Sequence, residues 1–455
     1  MTLARITSSM TAQKNPKPAD SGSAARRRNP LDRLLNLGIG RFIGRIGRGG
    51  KVSEGQSLLN LAEALLSLRG GASGPALASA FFDLYESSDA AARRSFLTKV
   101  YDQHPRDAEA IDAAIAQWQS ARDEAAASAL NAASQSMPHK LIRMLNLAPR
   151  GTTRLIGMRK DLLDIRDKTP AIRALDRDLE RSFRAWFNAG FLELRRIHWD
   201  SPASLLERLI GYEAVHEVAG WEDMRRRVEP VDRRCYGFFH PQMADDPLIF
   251  VEVALTKGLP SAIHDIIGEE RATVSPTDAT CAIFYSISNC QEGLRGIPFG
   301  NYLIKRVVGL LQEELPHLQT FATLSPVPGF AKWLASDGGY GGAVPLAGNL
   351  RELAAHYLMS AKHRTGLPLD PVARFHLGNG ARLEAIHADA DLSPNGQAQA
   401  HGVMVNYVYD LDEIEANHFA LNEVGTVAVS KAVEALAEEG AARVARADGG
   451  DDLAA

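Results

Sequence analysis

Two side chains and one loop in this sequence have the chemical means to act on a substrate. They are the hydroxyl of Ser325, the imidazole of His376 and the glycine-rich turn from Gly293 to Gly300 (GLRGIPFG). Ser325 follows the apolar run Phe321 to Leu324, which reads as a strand, and precedes Pro326 and Pro328, which restrict the local backbone. Strand exits facing a crevice collect active groups in α/β folds. The same serine would serve equally as the N-cap of the helix that runs on through Trp333. His376 falls in Ala373-Arg374-Phe375-His376-Leu377, which reads as a strand joined by a Gly378-Asn379-Gly380 hairpin turn to a second strand, Arg382 to His387. Alternation then places its ring on the opposite face from Phe375 and Leu377, as either a satisfied structural group or a proton donor.

The turn after Ala282–Ile287 combines a strand exit, glycines and a helix start. Glycines let backbone N–H groups approach an anion, and a helix N-terminus adds partial positive charge, so this is a phosphate cradle. Its spacing is neither G-x-G-x-x-G nor G-x-x-x-x-G-K-[ST], which argues against a dinucleotide or a nucleoside triphosphate. No G-x-S-x-G elbow supports a serine hydrolase, and no H-E-x-x-H or comparable spacing supports a metal site. His264, His356, His363, His387 and His401 read as surface or structural residues.

The elements that must position these groups follow from periodicity. Leu303, Ile304, Val307, Val308 and Leu311 recur at helical spacing behind the turn, and Pro316 ends that helix. Strands are expected at Cys235–His240, Leu248–Leu255 and Gly402–Leu411, the last carrying Asn406, Tyr407 and Tyr409. Helices are expected at Ser204–Ile210, Trp221–Arg227, Leu350–Lys362 and Val427–Arg446. Upstream, Leu58, Leu61, Leu65 and Leu68 line one helical face, and the pattern continues through Ala76–Glu86, Arg93–Tyr101, Ala108–Ala132, Lys140–Leu147 and Asp176–Asn188. The fold class is α+β in two domains: residues 53–190 form an all-α bundle, and residues 191–440 form a mixed α/β catalytic domain. Residues 1–52 are a basic arm whose composition favours disorder, and residues 441–455 an acidic tail. The bundle shows no ligand chemistry, and its expected role is to hold a homo-oligomer, a dimer or tetramer.

At 455 residues with 45% hydrophobic and 23% charged side chains and a net charge of −4, the composition is that of a globular protein with no call for nucleic acid as a partner. No apolar run approaches the roughly 20 residues that span a bilayer, so no stable membrane insertion is expected. Cys235, Cys281 and Cys290 lack metal-ligand spacing, and their odd number fits a reducing compartment. A cytoplasmic location is expected, or the mitochondrial matrix if the basic arm is a presequence.

Three stretches, FYSISNCQEGLRGIPFGNYLIKRVV, LSPVPGFAKWL and RFHLGNGARLEAIH, together resemble malonyl-CoA decarboxylases. The resemblance covers most of the chain, from about the middle of the helical region to the last strand. It implies an N-acetyltransferase-like (GNAT-type) catalytic domain. The implied activity is decarboxylation of malonyl-CoA to acetyl-CoA and CO2, with no metal or organic cofactor. In that family the serine of L-S-P-x-P-G-F and the histidine of F-H-L-x-N-G are the catalytic pair, which here are Ser325 and His376. The family's CoA loop falls on Arg295, Gly296, Ile297, Pro298, Phe299, Gly300 and Asn301. Pro298 stands where that loop often has other residues and removes one N–H donor. Tyr407 is a reserve proton donor. The alternatives are an acyl-CoA-dependent N-acyltransferase of the same fold and a non-catalytic acyl-CoA sensor.

Overall fold

The computed structural model describes residues 53–68, 73–104, 106–297, 300–336 and 349–448. The expectations for the basic arm, for Pro298 and Phe299 and for the last seven residues lie outside the described residues. The first part is helical: α1 Glu54–Ser67, α2 Gly74–Ser87, α3 Ala90–Gln103, α4 Ala108–Ala121, α5 Glu124–Ser134, α6 Met137–Leu145, α7 Gly151–Asp164 and α8 Pro170–Trp186. Most of these starts are written in the sequence. Ser53, Asp89, Asp107, Asp123, Ser136 and Thr169 each accept a backbone N–H of the first turn, satisfying a donor the helix cannot. The single helix expected over Ala108–Ala132 is two. Arg122 turns left-handed at φ 47° and Asp123 caps the second helix. Helix α7 is one the sequence reading passes over.

A mixed sheet follows, with β1 Glu193–Ile197, β2 Arg233–Phe239, β3 Ile249–Thr256, β4 Cys281–Asn289, β5 Thr320–Thr323, β6 Ser325–Pro326, β7 Arg382–His387 and β8 Met404–Val408. The spatial order is β1-β2-β3-β4-β5-β8-β6, and β7 also pairs with β8. The first four strands run antiparallel to their neighbours, β4 and β5 run parallel, and the pairings with β8 are antiparallel again. A parallel pair needs a crossover, and α9, Gly300–Glu314, supplies it. Its apolar face, Leu303, Ile304, Val307, Val308 and Leu311, is fully buried, as the spacing predicts. The expected strand Ala282–Ile287 lies within β4, at the centre of the sheet. The helical region and the sheet share one continuous core, in which Leu155 and Phe183 join Phe284 and Leu303.

One expectation fails on a residue that matters. Ala373–Leu377 is not a strand, and Gly378-Asn379-Gly380 is not a hairpin turn. Residues Pro371–Gly378 form a helix, α10, with His376 in its last turn and Asn379 at its C-cap. The reason is local. Asp370 accepts the N–H groups of Val372 and Ala373 at 2.9 and 3.0 Å, and Pro371 occupies the first turn, where its missing N–H costs nothing. The cap outweighs a five-residue run too short to carry a period.

Candidate active site

The site lies where two parallel strands part. β4 and β5 pair from Cys281/Thr320 to Phe284/Thr323, and Leu324 N–H still donates to Phe284 O at 3.2 Å. Beyond that bond Ser325 pairs with Val405 of β8, while β4 runs on to Asn289 beside β3. The divergence opens a cleft of about 550 Å3, lined among others by Tyr285, Ser286, Asn289, Ser325, His376 and Asn379.

Within it the two sequence-designated groups meet. Ser325 Oγ lies 3.2 Å from His376 Nε2, and donates to Thr323 Oγ1 at 2.8 Å. Thr323 Oγ1 also accepts Tyr407 N–H at 3.3 Å, tying the serine to the backbone of β8. The N-cap reading of Ser325 is therefore set aside. The next helix, Phe330–Leu334, begins five residues on, and Gly329 N–H just ahead of it is taken by Asp370 Oδ2 at 3.0 Å. Asp370 thus holds both halves of the site: it caps the helix bearing His376 and grips the turn that follows Ser325.

His376 is wedged rather than exposed. Its ring stacks on Tyr407 at 4.8 Å between centroids, and its Nδ1 lies 2.8 Å from the Tyr409 hydroxyl. Burial alone pushes the imidazole down to about 3, so it is neutral at working pH. Burial also raises the Tyr409 phenol, which keeps its proton. Among the described residues the Tyr409 hydroxyl has His376 as its one hydrogen-bond partner. Were Tyr409 to accept from Nδ1–H, its own proton would be left buried and unpaired; donation to Nδ1 satisfies both groups. This assigns Nδ1 as acceptor and leaves the hydrogen on Nε2, aimed at Ser325 and the cleft. The chain Tyr409 → His376 → Ser325 → Thr323 then runs in one direction.

The sequence reading missed two participants. Tyr409 is the hydroxyl that meets His376, whereas the reserve donor Tyr407 supplies a stacking face and its buried hydroxyl finds no partner among the described residues. Ser286 lines the cleft from β4 and donates toward both oxygens of Glu213, each at 2.8 Å. Glu213 also accepts the N–H groups of Val215 and His216, and Ser286 Oγ lies 3.2 Å from Ser288 Oγ, so Ser286 is held in a fixed place at the cleft wall. Their sequence distances, 33 residues for His376–Tyr409 and 73 for Glu213–Ser286, hide both contacts from a linear reading.

Of the loop residues, Arg295, Gly296 and Ile297 stand at the entrance turn, with Gly296 at φ +84°, and Ile297 lines the cleft. Gly300 and Asn301 open α9, whose N-terminus follows directly on the loop. No group of three or more His, Cys, Asp or Glu side chains is arranged to hold a metal ion among the described residues, and no described helix is long and apolar enough to cross a membrane.

A family profile described as the malonyl-CoA decarboxylase C-terminal domain matches residues 190–340 and 341–447, and one for the N-terminal domain of the same family matches residues 105–187. The mitochondrial malonyl-CoA decarboxylase of Rattus norvegicus is 38% identical over 317 residues, 59% of this chain and 64% of that protein. The one from Anser anser anser is 37% identical over 330 residues, 62% of this chain and 65% of that protein. This chain thus spans somewhat under two thirds of the length of those curated relatives. The crystal structure of malonyl-CoA decarboxylase from Rhodopseudomonas palustris superposes with a TM-score of 0.79 at 46% identity, covering 84% of this chain and all of the other. That from Agrobacterium vitis gives the same score and identity, covering 84% and 99%.

Proposed function

This chain belongs to the malonyl-CoA decarboxylase family, and we propose on that footing that it converts malonyl-CoA to acetyl-CoA and CO2 at the Ser325–His376 pair. The observation that supports this most is the 3.2 Å contact of Ser325 Oγ with His376 Nε2 at the point where β4 and β5 diverge. A thioester lying in the cleft meets both groups there.

The substrate carries its own electron sink. When the bond between the malonyl carboxylate carbon and the α-carbon breaks, the electron pair passes into the thioester carbonyl. CO2 leaves and an enolate remains. The thioester oxygen takes the place of Ser325 Oγ as acceptor of the His376 Nε2–H, so that a donor waits where negative charge develops. Ser325, released, turns its hydroxyl to the malonyl carboxylate and sets the breaking bond along the carbonyl π system. A proton must then reach the α-carbon. The enolate is a far stronger base than neutral imidazole's conjugate, so Nε2–H can supply it, with the Tyr409 proton following into Nδ1 and one proton from solvent restoring the phenol before the next turnover. The CoA phosphates lie on the Arg295–Asn301 loop and the start of α9, where N–H groups and the helix dipole favour anions.

The test is incubation with malonyl-CoA alone. Acetyl-CoA and CO2 form in equal amounts with no acceptor added. A requirement for an amine acceptor, or binding without turnover, would overturn the reading.

Because a neutral Nε2–H is the donor, kcat stays level from about pH 6 to 8; a protonated imidazole would make it fall as pH rises. The same depressed value bears on stability. Below the unfolded value of 6.5 the unfolded chain binds the proton that the folded chain refuses until about 3, so the contribution of His376 is complete above 6.5 and is lost as pH falls toward 3. Tyr409→Phe removes the hydrogen bond that selects the tautomer and lowers kcat by about tenfold, with KM nearly unchanged. An unaltered kcat in a folded Tyr409→Phe protein would show that the tyrosine does not orient the imidazole.

The helical region is proposed as the contact between copies of the chain, since little but burial explains it. Sedimentation at micromolar concentration reveals a dimer or tetramer, and a strict monomer would refute this.

A further inference from the structure

We propose that Arg159, in the helical region, is a positioning residue for the phosphate loop: it orients the peptide between Arg295 and Gly296 so that the Gly296 N–H faces the diphosphate of the bound thioester. This rests on the reading of the loop as a CoA phosphate cradle.

The turn ahead of the loop is pressed onto α7. A side chain at Gly293 would bring its Cβ within 2.0 Å of Ile156 O, so only glycine allows the contact. Arg159, one turn further along α7 and almost fully buried, spreads its guanidinium between three acceptors. Nη1 donates to Gly293 O at 2.8 Å and to Arg295 O at 3.0 Å, while Nε donates to Asp176 Oδ1 of α8 at 2.8 Å. Flanking contacts point the same way: Lys160 pairs with Glu292, and Arg184 Nη2 lies 3.4 Å from Gly296 O.

The consequence for an anion comes from peptide planarity. In a trans peptide the C=O and the N–H point in opposite directions. With Arg295 O drawn toward α7, the N–H of the same peptide, that of Gly296, is turned away from the helical region. The neighbouring amides are already committed. Leu294 N–H donates to Gln291 O, Arg295 N–H to Glu292 O and Ile297 N–H to Leu294 O. Gly296 N–H has no acceptor among the described residues. It is the amide in this turn left for a ligand, and its direction is set by the hydrogen bond on the other side of its plane. Arg295 at φ −53° and ψ 129° and Gly296 at φ +84° form a type II turn closed by the Ile297 N–H to Leu294 O bond, and glycine takes the third position of that turn without strain. A lysine cannot replace the arginine: one ammonium on a flexible stem does not reproduce a planar fork holding two carbonyls and a carboxylate at once.

The test compares malonyl-CoA with malonyl-pantetheine, which has the same reacting end and no diphosphate. Arg159→Lys raises KM for malonyl-CoA by about tenfold, the scale of one well-placed hydrogen bond, with kcat within about twofold. Its kcat/KM for malonyl-pantetheine stays within about twofold of the unaltered protein. Asp176→Asn, at a partly exposed position that tolerates change, loosens the arginine and raises the malonyl-CoA KM in the same selective way by about threefold. It serves if Arg159→Lys does not fold. A KM that does not move, or equal losses on both substrates in either folded variant, overturns the role of Arg159. If the unaltered protein handles the two substrates equally well, the phosphate-cradle reading itself falls, and this inference with it.

Discussion

His376→Asn lowers kcat on malonyl-CoA by about 10²-fold or more while KM changes little, and Ser325→Ala does the same, the usual scale for a general acid–base group or an oxyanion donor. Asparagine fills part of the imidazole's volume and offers an amide N–H, but it cannot hand a proton onward or receive one from Tyr409. Substrate affinity is less affected because most of the CoA surface lies elsewhere, along the β4 edge and the phosphate loop. The double variant costs less than the product of the two single losses. Once either member of a hydrogen-bonded pair is gone, the other has little left to contribute. Rate constants near those of the unaltered protein for folded Ser325→Ala would reduce the serine to a structural hydroxyl that merely satisfies Thr323.

The second large effect belongs to a residue that need not touch substrate. Asp370→Ala removes the acceptor of three backbone N–H groups, those of Val372, Ala373 and Gly329. A lost helix cap costs about 1 kcal/mol, and the Gly329 N–H left unpaired about 1–3 kcal/mol more, so unfolding free energy falls by roughly 2–4 kcal/mol. Activity suffers beyond the loss of folded protein, because α10 and the turn after Ser325 are no longer joined and the 3.2 Å contact between Ser325 and His376 opens. Denaturant titration and kcat measured on the same preparation separate the two. Asp370→Asn keeps an acceptor oxygen and recovers part of both. A Asp370→Ala protein as stable and as active as the original would refute this bridging role.

The parts of this molecule legible in the sequence are those where a period or a punctuating residue speaks. The buried face of α9 is spelled out by Leu303, Ile304, Val307, Val308 and Leu311. β4 is visible because a central strand is apolar on both faces. The entrance turn is visible because glycines mark it. Ala373–Leu377 is too short to reveal a period, so the sequence pattern puts His376 on a strand, although Asp370-Pro371, a cap followed by a first-turn proline, marks the start of a helix. Arg159 was invisible for a different reason: its partners, Gly293 O and Arg295 O, are backbone atoms more than a hundred residues away, and α7 carries no other chemical mark. Tyr409 was in view but unassigned. Tyr407 and Tyr409 share one face of the chain, and only the packing of α10 decides which hydroxyl reaches the imidazole.

A Ser–His contact is also the equipment of an acyl-enzyme hydrolase, so the nature of the bond broken is the point on which everything else depends. The direct measurement is the mass of the products formed from malonyl-CoA in heavy water. Decarboxylation through an enolate gives acetyl-CoA carrying one deuterium in its methyl group, with one CO2 for each acetyl-CoA. Malonate and free CoA in its place would show that the thioester, not the carbon–carbon bond, is what Ser325 and His376 attack.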